Sequence, residues 1–381
     1  MHGKMRFKVG IIFNFSPIWI GGIVYITNLI KTLDYLDDED KPEIFLFYRF
    51  DLIRFVNEMD YPYLNPVGWT FPSIVKGTIK SVLWRKNLFI SEILRNYDLD
   101  AIFPLQDYPV RTRTSSKLVS WCADFQHRHY PEFFSKIQIT GRNMRTRLAL
   151  QNTDDLVLSS YDAYNDLKKY FVVREELKIH IFHFVSVIDS SDNLNINDLR
   201  AKYNLPDNYF LVSNQFHKHK NHKVILLALV MLKKMGFKKH FAITGKMPDA
   251  SESPYMTELH RIITDNNLQD QINLLGVIPR NDQLQIMRYS QAVVQPSLFE
   301  GWSTVIEDAK SLQVPVVASN LNVNIEQLGD RGVFFDPQNP VELTSILKDY
   351  PERNLNDVFY EEYLKRIKEA AKELLKILKA P

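Results

Sequence analysis

The sequence predicts an α/β protein of two domains, each a parallel sheet whose strands are joined by crossover helices. Three observations carry this. Short apolar runs alternate with helical patterns along the whole chain, which is how strand–helix–strand units read. The 381 residues are enough for two ordinary cores. Near the middle, Asp189-Ser190-Ser191-Asp192-Asn193 is polar and turn-rich, with no apolar period, and so reads as the linker. The expected boundaries are 1–190, 191–357 and a terminal helical segment 358–381.

In the first half, strands are expected at Lys8 to Phe15, Ile44 to Tyr48, Ala101 to Pro104, Lys117 to Trp121 and Asp155 to Ser159. The start has basic residues before an apolar run, but that run is short and lacks a small-residue cleavage site, so it reads as a strand and not a signal peptide. Gly21-Gly22 is expected to form the turn between this strand and a helix over Ile23 to Leu33, where backbone amides could approach a ligand closely. The second half offers strands at Tyr209 to Ser213, His240 to Thr244, Gln271 to Leu275, Ala292 to Gln295 and Val314 to Ala318. Two such halves on a hinge imply a cleft, and ligands of open α/β sheets sit at the carboxyl ends of strands. The last helix, Tyr360 to Lys379, lines up Tyr360, Tyr363, Leu364, Ile367, Ala371, Leu374 and Leu378, and its mixed-sign polar side favours packing on the protein over a membrane surface.

The balance of 45% hydrophobic and 24% charged residues is that of a soluble globular protein, and no stretch approaches a transmembrane helix in length. Net charge is only +2, yet residues 61–150 hold 13 Lys and Arg against 6 Asp and Glu. That excess suits an anionic membrane surface or an anionic acceptor. Within it, Lys76, Lys80, Arg85 and Lys86 are interleaved with Ile79, Val82, Leu83, Trp84, Leu88 and Phe89, which reads either as a membrane-docking helix or as one that buries its apolar side. Cys122 is alone, which excludes an intrachain disulfide or a cysteine-based zinc site and favours a reducing, cytoplasmic setting.

The most informative segment is PSLFEGWSTVIEDAKSLQVPVVASN, Pro296 to Asn320. It reads as strand end, acidic loop, helix and strand, with Ser303 or Thr304 as N-cap and Glu307 and Asp308 in the early turns. Open amides and the positive dipole end favour a bound phosphate there. Thr304 and Asp308 are four apart, on one helix face and about 6 Å apart along its axis. Glu300 is expected in a loop at the cleft and outside any core, so that its replacement would spare the fold.

The segment resembles the Glu-x7-Glu donor motif of family 4 glycosyltransferases, with Asp308 where the second glutamate usually stands. That resemblance covers most of the chain and is strongest from Tyr209 to Pro340. It implies the GT-B fold: two Rossmann-like domains facing each other across a cleft, with a C-terminal helix crossing back to the first. It implies a retaining transfer of a sugar from a nucleotide diphospho-sugar to a hydroxyl acceptor, a saccharide or lipid-linked saccharide, without a cofactor. By the same resemblance Glu300 holds sugar hydroxyls, Gly301, Trp302, Ser303 and Thr304 line the diphosphate, and Asp308 meets the ribose. The loop Ser213 to His222 supplies Lys220 where the family has a diphosphate-binding lysine. Gln215 stands where an arginine is expected, a gap Lys218 could fill. Gly22 corresponds to the family's glycine turn, and Gly245 and Ile278 border the donor.

In the loop from Trp121 to Phe134 the family's His-Asp becomes Ala123-Asp124. His127 is the substitute candidate for orienting a hydroxyl or shuttling a proton, with Asp124 on the acceptor side. No metal is expected: His217 and His219 alternate with lysines that would repel a cation, and Asp98-Leu99-Asp100 reads as a turn. No nucleic-acid partner is expected. Two rival functions remain, a nucleotide-sugar epimerase of the same architecture and a non-catalytic sugar-nucleotide-binding protein.

Overall fold

The structure, a computed structural model, describes residues 5–188, 194–251 and 253–379. The segment read as the linker, 189–193, lies outside the described residues. The chain divides into two compact units, one of residues 1–187 and 364–381, the other of residues 188–363.

The first unit carries seven strands: β1 (Lys8–Phe13), β2 (Glu43–Tyr48), β3 (Leu64–Gly68), β4 (Ala101–Leu105), β5 (Lys117–Cys122), β6 (Asp155–Leu158) and β7 (Lys178–Ile181). They pair in parallel, in the order β3-β2-β1-β4-β5-β6-β7. Apolar side chains on β1, β4 and β6 are almost all buried, because a parallel sheet is covered on both faces. Asp100 accepts the Lys8 amide at 2.7 Å, so the Asp98–Asp100 segment ties down the start of β1 as a turn would. The terminal helix, Tyr363–Lys379, buries Ile367, Ala371, Leu374 and Leu378, and Lys379 lies over the Phe7 ring. It begins three residues later than expected, and Leu364 is exposed.

The second unit carries β8 (Phe210–Ser213), β9 (Phe241–Thr244), β10 (Ile272–Gly276), β11 (Val293–Gln295), β12 (Val316–Ser319) and β13 (Val333–Phe335), in the parallel order β10-β9-β8-β11-β12-β13. This is the doubly wound order, and its switch point falls between β8 and β11. One core cluster gathers Val212, Ile225, Leu229, Phe241, Val294 and Leu343, and a second gathers Leu211, Ile286, Val293, Ile306 and Val316.

One local expectation is corrected, and one that the sequence left open is decided. The first helix spans Ile20–Leu33, so Gly21 and Gly22 lie in its first turn and not in a loop ahead of it. A Cβ on Gly22 would sit 2.7 Å from the Trp19 indole, so here the glycine makes room for an aromatic ring. The helix Ile74–Trp84 does not bury its apolar side; Gly77 and Ser81 are the residues it turns inward.

Candidate functional site

The site forms because the switch point places the loops after β8 and β11 side by side. The loop after β8 ends in a short 3-10 turn, Lys218–Lys220, followed by Asn221 at φ 54°. Asparagine tolerates this left-handed geometry better than most residues. Asn221 donates to the carbonyls of Pro296 (3.2 Å) and Pro337 (2.8 Å), and the Leu298 amide donates to the His219 carbonyl at 2.7 Å. These bonds fix one loop against the other.

Across that seam Lys220 Nζ donates to Glu300 Oε1 at 2.6 Å. Gln295, the last residue of β11, donates Nε2 to the same oxygen at 2.6 Å, and its own Oε1 accepts from Asn214 Nδ2 at 2.8 Å. Burial alone would raise the Glu300 pKa. The Lys220 charge and hydrogen bond, with Ser297, outweigh it and hold the carboxyl below its ordinary value. Glu300 is therefore a buried, ionised, ion-paired carboxylate, only 9% exposed. This corrects the expectation of a loop residue outside the core.

The helix Thr304–Ser311 starts beside it, capped by Ser303, whose hydroxyl accepts from the Ile306 amide. Gln327 fixes this cap, accepting from the Ser303 amide at 3.1 Å and donating to its carbonyl at 2.9 Å. Not every amide at the helix mouth is open, then: those of Ser303 and Ile306 are engaged. Glu307, 1% exposed, accepts from Gln327 at 2.8 Å and from Lys310 at 3.1 Å. It braces the cap from below. Gly301 and Thr304 are partly exposed, whereas Trp302 is buried.

Asp308 is also buried, and both its oxygens meet Arg280 in a fork, Nη1 to Oδ2 at 2.8 Å and Nη2 to Oδ1 at 2.5 Å. A bidentate guanidinium–carboxylate pair fixes both groups in plane. Arg280 opens the helix Arg280–Arg288 that follows β10, and its side chain stays 41% exposed. Gln283, one turn on, accepts from Arg280 Nη1 through its Oε1 at 3.2 Å, and its Nε2 donates to the Ser213 hydroxyl at the end of β8. Ile278 is partly buried against the core in the same connection.

The remaining expected residues separate into two sets. Lys218 is exposed, and Gln215 Oε1 accepts from the His217 ring Nε2 at 2.9 Å within its own loop. Gly245, at φ 144°, lies where a Cβ would fall 2.2 Å from the Asn214 carbonyl oxygen, so a glycine is required there by backbone packing. In the first unit His127 is 3% exposed and its Nε2 bonds Asn143 Oδ1 at 3.0 Å; burial lowers its pKa. Its Nδ1 is buried with no hydrogen-bond partner. Asp124 accepts the Gln126 amide at 3.0 Å, closing the turn that leads to His127. Among the described residues no three His, Cys, Asp or Glu side chains gather as a metal site.

Sequence reasoning gave no role to Gln295, Asn214, Gln327 and Arg280. Gln295 had a readable signal, a polar residue closing an otherwise apolar strand at the ligand-facing end of a sheet. Gln327 had none, since only the fold brings it to the cap 24 residues away.

Residues 195–374 match the family model of glycosyl transferases group 1. An O-antigen chain mannosyltransferase, RfbU, of Salmonella typhimurium is 23% identical over 226 residues, 59% of this chain and 58% of its own length. A glycosyltransferase 1 domain-containing protein of Xenopus tropicalis is 35% identical over 118 residues, 30% of this chain and 32% of its own. The chain thus spans less than two thirds of either relative. Among solved structures, Anabaena Alr3699/HepE in complex with UDP and glucose superposes with a TM-score of 0.66 at 17% identity, covering 97% of this chain and 99% of that one. The two parallel sheets are those of the GT-B glycosyltransferases. Residues 195–374, a little under half of the chain, are thus similar to the group 1 glycosyltransferases.

Proposed function

We propose that the protein transfers a hexose from a nucleotide diphospho-sugar to a hydroxyl of a saccharide or lipid-linked saccharide acceptor, with retention at the anomeric carbon and without a metal. The observation that carries this is the Lys220–Glu300 pair at the switch point, inside the family's domain. The solved neighbour with bound UDP and the mannosyltransferase relative support a nucleotide-sugar donor and a role in surface-polysaccharide assembly.

Lys220 stabilises the departing diphosphate, and Lys218 adds charge where Gln215 replaces an arginine. A lysine about 4 Å from a phosphate charge gains on the order of 4 kcal/mol at an effective dielectric near 20. The Thr304 and Val305 amides, at the dipole end of their helix, serve the same oxygens. This is electrostatic stabilisation of charge as it develops. Glu300, kept ionised by Lys220, accepts hydrogen bonds from the sugar hydroxyls. Arg280 presents the nucleotide side of the site with a guanidinium that buried Asp308 holds in one orientation, so the second acidic position acts on the ribose through Arg280. The leaving phosphate oxygen takes the acceptor proton, and no second carboxylate is required. His127 and Asp124 stand on the acceptor side.

Product analysis with a panel of nucleotide sugars tests this reading. A new glycoside of retained configuration, formed in EDTA, is the expected result. An isomerised donor without acceptor would make the protein an epimerase. Donor binding without any product would make it a sugar-nucleotide-binding protein. A nucleoside diphosphate at about 100 times its Kd should add roughly 2.7 kcal/mol of stability.

A further inference from the structure

The helix Ile74–Trp84 carries an apolar surface that the protein does not use. The residues it turns inward are Gly77 and Ser81. A Cβ on Gly77 would meet Phe89 at 2.9 Å and Pro72 at 3.0 Å, so the backbone lies directly on those two side chains. The Ser81 hydroxyl accepts the Leu88 amide at 3.1 Å, and its carbonyl accepts the Lys86 amide at 3.0 Å, which folds the following segment beneath the helix. With its small residues inward, the helix must turn its large ones out. Val75 is 70% exposed, Leu83 72% and Trp84 62%, with Ile74, Ile79 and Val82 also exposed.

At about 100° per residue, Ile74, Val82, Val75, Ile79 and Leu83 succeed one another around one half of the cylinder. Lys76 and Lys80 border that half, and Arg85 and Lys86 follow at its end. All four basic residues are exposed, and no Asp or Glu occurs between Asp60 and Glu92. Lys80 Nζ lies 5.6 Å from the Trp84 ring centroid, placing a cation and an interfacial aromatic together at one edge. Part of the wider basic excess does not share this character: Arg111, Lys117 and Arg145 are paired to Asp154, Asp155 and Asp107.

We infer that this helix is a lipid-docking element that lies in the interface of an anionic bilayer, inserting Val75, Ile79, Val82 and Leu83 while its basic residues meet the headgroups. An amphipathic helix with a cationic border fits that surface: apolar burial and electrostatic attraction act together, and either alone is weak. Charge complementarity selects an anionic lipid over a neutral one. No acidic side chain stands within the segment to favour a basic protein partner or a second copy of the same face.

The test is co-sedimentation of the full chain with vesicles of equal phosphatidylglycerol and phosphatidylcholine, and with phosphatidylcholine alone. The wild type should pellet with the anionic vesicles and remain in solution with neutral ones. Changing Lys76, Lys80, Arg85 and Lys86 to Gln should lower partitioning by about fivefold per residue at low salt. Ile79→Gln with Leu83→Gln should lower it at least tenfold with an unchanged melting temperature, since both side chains are already exposed. Ile137→Gln, on another helix of the same unit, should change nothing. The inference fails if the wild type ignores anionic vesicles at low salt, or if the Ile79/Leu83 variant binds as well as the wild type. It fails equally if sedimentation velocity without lipid shows a dimer that the Ile79/Leu83 variant abolishes, because the face would then be covered by a second copy.

Discussion

The loop after β11 in the second unit and the loop after β5 in the first both leave the carboxyl end of a parallel strand with polar residues suited to sugar chemistry. They come to different ends. At the β11 loop, Glu300 is buried but remains charged, because the switch point brings Lys220 from the neighbouring β8 loop against it. The β5 loop brings no such partner to His127: its charged contact is that of His129 with Asp166 of the helix Tyr161–Tyr170 after β6, at 2.6 Å, and the first unit's switch point lies between β1 and β4, one strand away. His127 is accordingly buried beside Asn143 and biased toward its neutral form. Strand-end chemistry needs two loops to meet, and the strand order decides which two do.

The comparison breaks first at Glu300. Glu300→Gln should reduce turnover by on the order of 10²-fold, the scale of losing one group that stabilises a transition state. It should also lower stability by about 3 kcal/mol, since Lys220 is left without its buried partner. Thermal melts and single-turnover assays on one preparation separate the two effects. Turnover within a few fold of wild type would remove Glu300 from the chemistry and leave it a structural ion pair.

Arg280 and Asp308 sharpen the comparison one level down. Arg280→Ala and Asp308→Ala should each weaken nucleoside diphosphate binding by about 1.5 to 3 kcal/mol, the worth of a charge-assisted hydrogen bond. Their double variant should be no worse than the poorer single one, because the two act as one fork. Glu307→Ala should act mainly on stability, since its carboxylate holds Lys310 and Gln327 beneath the Ser303 cap. Calorimetry that finds additive losses for Arg280 and Asp308 would show that each meets the ligand separately.

Edge position explains what the sequence did not reveal of the fold. The strands anticipated from apolar runs include every interior one: β1, β2, β4, β5 and β6 in one sheet, β8, β9, β11 and β12 in the other. Those missed, β3, β7 and β13, are all edges. Leu64-Asn65-Pro66-Val67-Gly68 contains a proline that only an edge strand tolerates, and Lys178-Ile179-His180-Ile181 is short and alternates with polar residues. A buried strand announces itself by composition; an edge strand is defined by its neighbour. The site divides in the same way. Glu300, Lys220 and the Ser303 cap were legible because their chemistry is local to a strand end. Gln327 and Arg280 were not, because their partners are set by tertiary packing alone.

Titration of the β8 loop probes the same seam through stability. Burial, aided by the Lys220 charge, pushes the pKa of His219 down to about 4 and that of His222 to about 3, and His222 stacks on Phe216 at 4.2 Å. The unfolded chain takes up these protons near the ordinary imidazole value of about 6.5. Stability should therefore be fully present above that value and fall as pH drops from it toward the folded values. His222→Phe keeps a ring against Phe216 and removes one titration, so its melting temperature should fall less steeply than the wild type's between pH 6 and 4. Parallel curves for wild type and variant would show that acid acts elsewhere.

The smallest effect is expected at His127. Its ring is fixed by Asn143 through Nε2, and its Nδ1 is buried without a partner; on the proposed function Nδ1 is the atom that would accept from an acceptor hydroxyl. One neutral hydrogen bond is worth about 0.5 to 1.5 kcal/mol, so His127→Asn should cost roughly a few fold to tenfold in kcat/KM. The loss should appear in the acceptor KM and leave the donor KM unchanged, because the residue lies in the first unit. Burial lowers its pKa, so the ring is already neutral across pH 7 to 9, and over that range the variant's pH–rate profile should run parallel to the wild type's. A loss of 10²-fold or more in kcat, with a changed profile, would instead make His127 a proton-transfer group, and a buried, neutral imidazole would then match Glu300 in importance despite lacking a charged partner.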